Sequence, residues 1–345
     1  MAEGALSERG TEEEGRGGGG RGGGGGGGMG TQPLAAALSV TFSMVTSALI
    51  ILLNRRIIRG LQFPFPWLLT GWGLGVSGLL SFLLCRVGLV PSRARGRVLT
   101  AHFFFVETLP VALCTAVGMC LGNAASITVQ MSFLQILKAF TPAVTFTVCW
   151  LFGLEAASPR VILAVAIIVG GTLVSTREEA AKAVFDARGT VTFLVSILFE
   201  STRVVLIQKL LSGRKQNLHP LEGLQYTALP TSVIMLVVSA LLERGPFQTS
   251  GAWSIVTENP VTFGVAGVLG FLVNLGTFLA LAHASSLTLK AATCVRNAAL
   301  VWIGSLLGES IVPVQVLGYA ISVGGFLLYS AVRAPAQAKG KQKSN

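Results

Sequence analysis

From Leu34 to Val332 the chain is a succession of apolar runs, each about 20 residues long and set off by a short polar break. That is the length an α-helix rising about 1.5 Å per residue needs to cross a hydrocarbon core. The runs therefore predict an all-α membrane protein. Composition agrees, with 52% apolar residues, 12% charged residues and a mean hydropathy of +0.69. A soluble domain of this length is far less oily. The pattern predicts ten transmembrane helices, at approximately 34–54, 65–86, 102–122, 128–152, 159–176, 189–211, 221–242, 260–283, 288–308 and 313–332.

A repeat orders these spans. Glu155 and Pro159 precede the segment Ala166 to Gly171, "AIIVGG", and Glu309 and Pro313 precede Ala320 to Gly325, "AISVGG". All these matched positions differ by 154 residues. The constant offset divides the chain into a first five-helix repeat at 34–176 and a second at 189–332. An odd number of spans per repeat inverts the second half in the membrane, the architecture of alternating-access carriers.

The ends differ in character. Residues 1–33 are Gly-rich and Glu-containing, too poor in apolar residues to build a core, and are read as a disordered tail. Residues 333–345 are a basic tail. The tail acids Glu3, Glu8, Glu12, Glu13 and Glu14 count against a transit peptide, and the tail has no signal-peptide apolar stretch. The formal net charge of +11 gathers mostly in loops and at the C-terminus, which fits a positive-inside bias with both ends cytosolic. It does not form the basic stripe with interleaved aromatics that a nucleic-acid partner would need.

Within this oily frame two cations stand out. Lys138 lies in "SFLQILKAFTPAVTF", and Arg296 in "TCVRNAALVW". The offset maps Lys138 onto Ala292, one helical turn before Arg296, so the two fall on nearly the same stripe of equivalent helices. A cation at mid-bilayer costs about 2.5–3.5 kcal/mol, which marks the pair as candidate ligands of an anion held between the halves. Glu200 and Arg203, three residues apart, read as a structural or gating pair. Asn123, Gln135, Asn274 and Asn297 are candidate polar contacts to hydroxyl or ring groups, with interhelical hydrogen bonds as the alternative.

The residues argue against other chemistries. The five cysteines lack C-x-x-C spacing, and the three histidines are isolated, so neither a metal nor a cofactor is expected. The single aspartate, Asp186, lies in a loop, and no carboxylate pair, Ser-His constellation or Walker-type loop supports an enzyme.

"SALIILLNRRII", "QFPFPWLLTGW", "SFLQILKAFTP", "FESTRVVLIQKLL", "NLHPLEGLQY" and "LTLKAATCVRNAALVW" occur in that order. Together they resemble the triose-phosphate/nucleotide-sugar translocator family of the drug/metabolite transporter superfamily. The resemblance implies a ten-helix antiporter that exchanges a phosphorylated sugar for phosphate or a nucleotide sugar for nucleoside monophosphate. It places the family's fourth-helix lysine on Lys138 and its ninth-helix basic position on Arg296. Two departures bear on substrate: the Lys-Arg dipeptide of plastid phosphate translocators is Arg296-Asn297 here, and their third-helix histidine falls on Met119. Plant-type Golgi relatives with a Lys-Asp dipeptide are more similar across "FESTRVVLIQ" and "VLGYAISVGGFLLYS".

The expected function is nucleotide-sugar antiport, with a sugar-phosphate/phosphate antiporter and a non-transporting receptor or scaffold as alternatives. The final "KQKSN" resembles a K-x-K-x-x retrieval signal read by coatomer, or else is a generic polybasic end. The expected location is the Golgi or ER membrane, with the plastid envelope as the alternative.

Overall fold

The structure, a computed structural model, describes residues 31–88, 101–129, 134, 137–177, 186–212, 218–306 and 313–342. Among them the regular structure is entirely helical. We number the principal helices α1 (Thr31–Arg55), α2 (Pro66–Arg86), α3 (Leu109–Thr128), α4 (Thr141–Leu151), α5 (Pro159–Ser175), α6 (Ala187–Ser212), α7 (Pro220–Leu242), α8 (Pro260–His283), α9 (Ser286–Leu306) and α10 (Pro313–Gln342). Two short helices, Arg244–Thr249 and Ala252–Glu258, join α7 to α8.

Seven helices among the described residues are long and apolar enough to cross a membrane, against the ten spans expected. The shortfall has physical causes. Helices α4 and α5 have 11 and 17 residues, at or below the lower end of the spanning range. Helix α9 has 21 residues but carries Lys290, Arg296 and Asn297, which lower its hydropathy.

Prolines set many of the boundaries. Pro66, Pro159, Pro220, Pro260 and Pro313 each open a helix, where the missing N–H costs nothing and φ is already helical. Pro142 explains a difference from expectation. The sequence reads 128–152 as one span, but Leu137 and Lys138 end a helical turn, Ala139 and Phe140 form a bend, and α4 begins at Thr141. A proline at 142 has no N–H to offer the carbonyl of Lys138 and clashes with it. Pro110 is carried differently, by a π-helical turn at Phe104–Thr108 that joins Ala101–Phe103 to α3. Between the first two expected spans α1 does not stop but continues through a π-helical turn at Arg56–Gly60. Likewise α10 runs on through Arg333 to Gln342, so most of the expected basic tail extends the last helix, and Lys343 lies outside the described residues.

The most extensive packing joins α2 to α7 and α5 to α10, then α3 to α6 and α1 to α8. Helix α4 packs on α6 and α9, and α9 also meets α1 and α10. The first residues of α2 and α7, and those of α5 and α10, are 154 positions apart. Where α5 crosses α10, the Ser322 hydroxyl donates to the Ile168 carbonyl, again across 154 positions, at 2.9 Å. Gly171 permits this approach: a Cβ there would come within 2.5 Å of the Ser322 nitrogen. Outward surfaces carry exposed Leu79, Leu163, Leu198, Val233 and Leu241, while Ser77, Thr145, Ser201 and Ser322 are fully buried. Small and polar side chains inside with apolar ones outside is the arrangement helices adopt when lipid is the solvent.

Candidate functional site

Two neighbouring cavities open between the helices. The first, about 270 Å³, lies among α3, α6 and the turn before α4, and its walls include Gly122, Asn123, Lys138, Ser196, Glu200 and Arg203. The second, about 240 Å³, lies among α1, α2 and α8, and its walls include Asn54, Thr70, Asn274, Thr277 and Arg203. Arg203 and Met119 line both, and these cavities are called the first and second lobes.

The break ahead of Pro142 aims Lys138 into the first lobe, where its side chain is accessible although the surrounding protein encloses it. Asn123 lines the same lobe. Glu200 does not pair with the Arg203 predicted for it. Its Oε1 accepts from Lys290 Nζ, in an ion pair linking α6 to α9. The carboxylate is 49% accessible because it faces the lobe, whereas Lys290 is 9% accessible, behind the cavity wall. Arg203, one turn along α6 from Glu200, remains within electrostatic range of it, as do Lys138 and Arg296. Among the described residues neither Lys138 nor Arg203 makes a hydrogen bond or ion pair with protein.

Arg296 is tied at the edge of this field. Its Nη1 donates to Ser47 Oγ of α1 at 2.7 Å and its Nη2 to Asn297 Oδ1 at 3.1 Å, while its buried Nε has no partner. Asn297 therefore orients Arg296 and does not line either lobe. Lys138 lines the first lobe, whereas Arg296 lines neither lobe. Asn274 lines the second lobe, with its Nδ2 committed to Gly270 O at 2.8 Å and Ser77 Oγ at 3.2 Å. Gln135 lies outside the described residues.

The first lobe thus brings Lys138 and Arg203 to the carboxylate of Glu200, which Lys290 pairs from α9, while Arg296 lines neither lobe. Sequence reasoning overlooked Lys290. It lies near the start of its span, where a cation is cheap, and six residues before Arg296 it falls off that residue's stripe. No group of three His, Cys, Asp or Glu side chains suited to a metal occurs among the described residues.

Membrane-length helices around a polar, cation-lined cavity define a multi-pass membrane protein of the solute-carrying class. The chain belongs to the Triose-phosphate Transporter family, whose profile matches residues 34–330. A probable sugar phosphate/phosphate translocator of Arabidopsis thaliana is 26% identical over 79% of this chain and 78% of its own length. A second protein of that description is 27% identical over 86% of this chain and 83% of its own. UDP-galactose transporter 1 of the same plant is 25% identical over 82% of this chain and 83% of its own. A solved crystal structure superposes with a TM-score of 0.61 at 15% identity, over 87% of this chain and 97% of that one, and so shares the fold. The family and these relatives make the protein a solute translocator rather than an enzyme.

Proposed function

We propose that the protein is an alternating-access antiporter that exchanges a nucleotide sugar for a nucleoside monophosphate. The observation that carries this is charge. Lys138 and Arg203 line the first lobe without a protein partner while Lys290 already pairs Glu200, an excess of positive charge that is costly inside a membrane unless an anion completes it. A phosphate monoester brings about −1.5 to −2 and offers several acceptor oxygens to Lys and Arg. In this reading Lys138 and Arg296 hold phosphate oxygens from opposite halves, and Arg203 serves both lobes. The loaded site reorients at lower cost than the empty one, which gives strict exchange a physical basis.

The rocking elements in this account are two inverted five-helix repeats. Support comes from the packing pattern: α3 with α6 corresponds to α8 with α1 under a shift of five helices, and α2 with α8 corresponds to α7 with α3. The pairs α2 with α7, α4 with α9, and α5 with α10 each correspond to themselves. Pairing of this kind is what a twofold-related repeat generates, and the binding site then lies at the interface of the repeats.

A second reading, sugar-phosphate/phosphate antiport, is favoured by the Arabidopsis relatives that are probable sugar phosphate/phosphate translocators and by the first lobe holding both Lys138 and Arg203. In this reading the protein resides in the Golgi or ER with both termini cytosolic, supported by the basic residues of the loops expected on the cytosolic side. The test is uptake into proteoliposomes preloaded with nucleoside monophosphate or with inorganic phosphate. Nucleotide-sugar uptake that requires the nucleotide preload, and that falls at least tenfold in both Lys138→Ala and Arg296→Ala, supports the first reading (loss of a charged hydrogen bond is worth about 1.5–3 kcal/mol). Exchange on phosphate preload alone supports the second. Unchanged exchange in both variants refutes the anion-site assignment.

A further inference from the structure

The first lobe presents both donors and a strong acceptor to whatever enters it. Lys138 and Arg203 bring N–H groups that no protein group accepts among the described residues. Glu200 lines the lobe with them, and its side chain is 49% accessible. Its donor among the described residues is Lys290 Nζ, which takes Oε1 from behind the wall. A carboxylate can accept about four hydrogen bonds, so most of this capacity remains unused. The wall's own hydroxyls do not draw on it: Ser196 Oγ donates to Phe193 O at 2.8 Å, and Thr115 Oγ1 to Val111 O at 2.6 Å.

An accessible carboxylate is out of place in a site that only attracts negative charge. Against a fully deprotonated oxyanion it sets lone pairs against lone pairs, and the like charges repel. Against an oxyanion that keeps a proton it accepts a charge-assisted O–H···O bond, one of the strong kind. Inorganic phosphate near neutral pH retains an O–H, and a phosphate ester does so until its second ionisation at about pH 6. Sulfate is tetrahedral, of similar size and as charged as hydrogen phosphate, but it has no proton to give. Lys138 and Arg203 attract both ions alike, so the carboxylate is the charged group of the lobe that can tell them apart.

We infer that Glu200 is a specificity residue, which makes the first lobe select an oxyanion carrying an O–H, a phosphate or phosphate ester, over one carrying none, such as sulfate. This rests on the anion-binding reading above and adds the feature of the anion that the lobe reads. Lys290 offsets the charge of the carboxylate without lining the lobe.

The test is isothermal titration of the full-length protein in detergent with inorganic phosphate and with sulfate, in a neutral buffer at matched ionic strength. The parent should bind phosphate at least about tenfold more tightly than sulfate, the worth of one charged hydrogen bond. The decisive variant is the double Glu200→Gln/Lys290→Met, which strands no charge and leaves the net charge unchanged. Its amide can donate to sulfate as well as accept from phosphate, so the preference should fall to within about threefold. Lys290→Met alone keeps the carboxylate, and should weaken both ions alike while preserving their ratio. Equal binding of the two ions by the parent, a preference that survives in the double variant, or one lost in Lys290→Met alone overturns the role of Glu200. Lys138→Ala separates the two claims: phosphate binding that it leaves unchanged overturns the underlying anion site, whatever the ratio to sulfate.

Discussion

The ion pair between Glu200 and Lys290 is asymmetric, and the asymmetry sets the cost of losing either partner. Lys290 is 9% accessible and Glu200 is its ion-pair partner, so Glu200→Gln strands a charge behind the cavity wall. Breaking a buried pair from one side costs about 3–5 kcal/mol, and the retained amide oxygen places this variant near 3 kcal/mol. Lys290→Met is different. Glu200 is 49% accessible to the cavity and keeps Arg203, Lys138 and Arg296 within range, so the expected cost is below about 1 kcal/mol. The double variant removes both charges and should lie within about 1 kcal/mol of the parent. The coupling is then about 3 kcal/mol, a value a double-mutant cycle resolves. Reversible denaturation of the solubilised protein measures all three. Equal losses in the two single variants, or a larger loss in Lys290→Met, would refute the assignment of Lys290 as the buried, dependent partner.

Two further outcomes test the frame that holds the site. A Cβ at Gly171 would meet Ser322 and the Gly318 carbonyl at 2.5–2.8 Å, whereas one at Gly170 meets nothing within 4 Å. Gly171→Ala should cost about 1–3 kcal/mol by overpacking and Gly170→Ala next to nothing, as read by denaturation midpoints. Glu243 accepts from the Trp67 and Leu68 backbone N–H groups at 3.2 and 2.8 Å and from Ser239 Oγ at 2.7 Å. Glu243→Ala should therefore cost about 2 kcal/mol, with faster amide exchange at the start of α2 as its local signature.

Much of this frame is legible in the sequence because its causes are local. Proline at a helix start and apolar length place α2, α5, α7 and α8 within a residue of expectation. The glycine and serine residues at the α5–α10 crossing appear as the repeated "VGG" motif, though only the structure shows that they touch. Legibility ends where a local signal has two readings. Pro142 can kink a span or end one, and here it divides the run that contains Lys138. The pairing of Glu200 was misread because Arg203 is its neighbour along one helix, while Lys290 reaches it from another.

Efflux from proteoliposomes preloaded with a radiolabelled phosphate compound tests the central claim most directly. If the unpaired charges of Lys138 and Arg203 make the empty site costly to reorient, efflux should be fast into medium containing a phosphorylated ligand and at least tenfold slower into medium without one. Equal efflux into both media would contradict the account, because the empty site would then cross the membrane as readily as the loaded one.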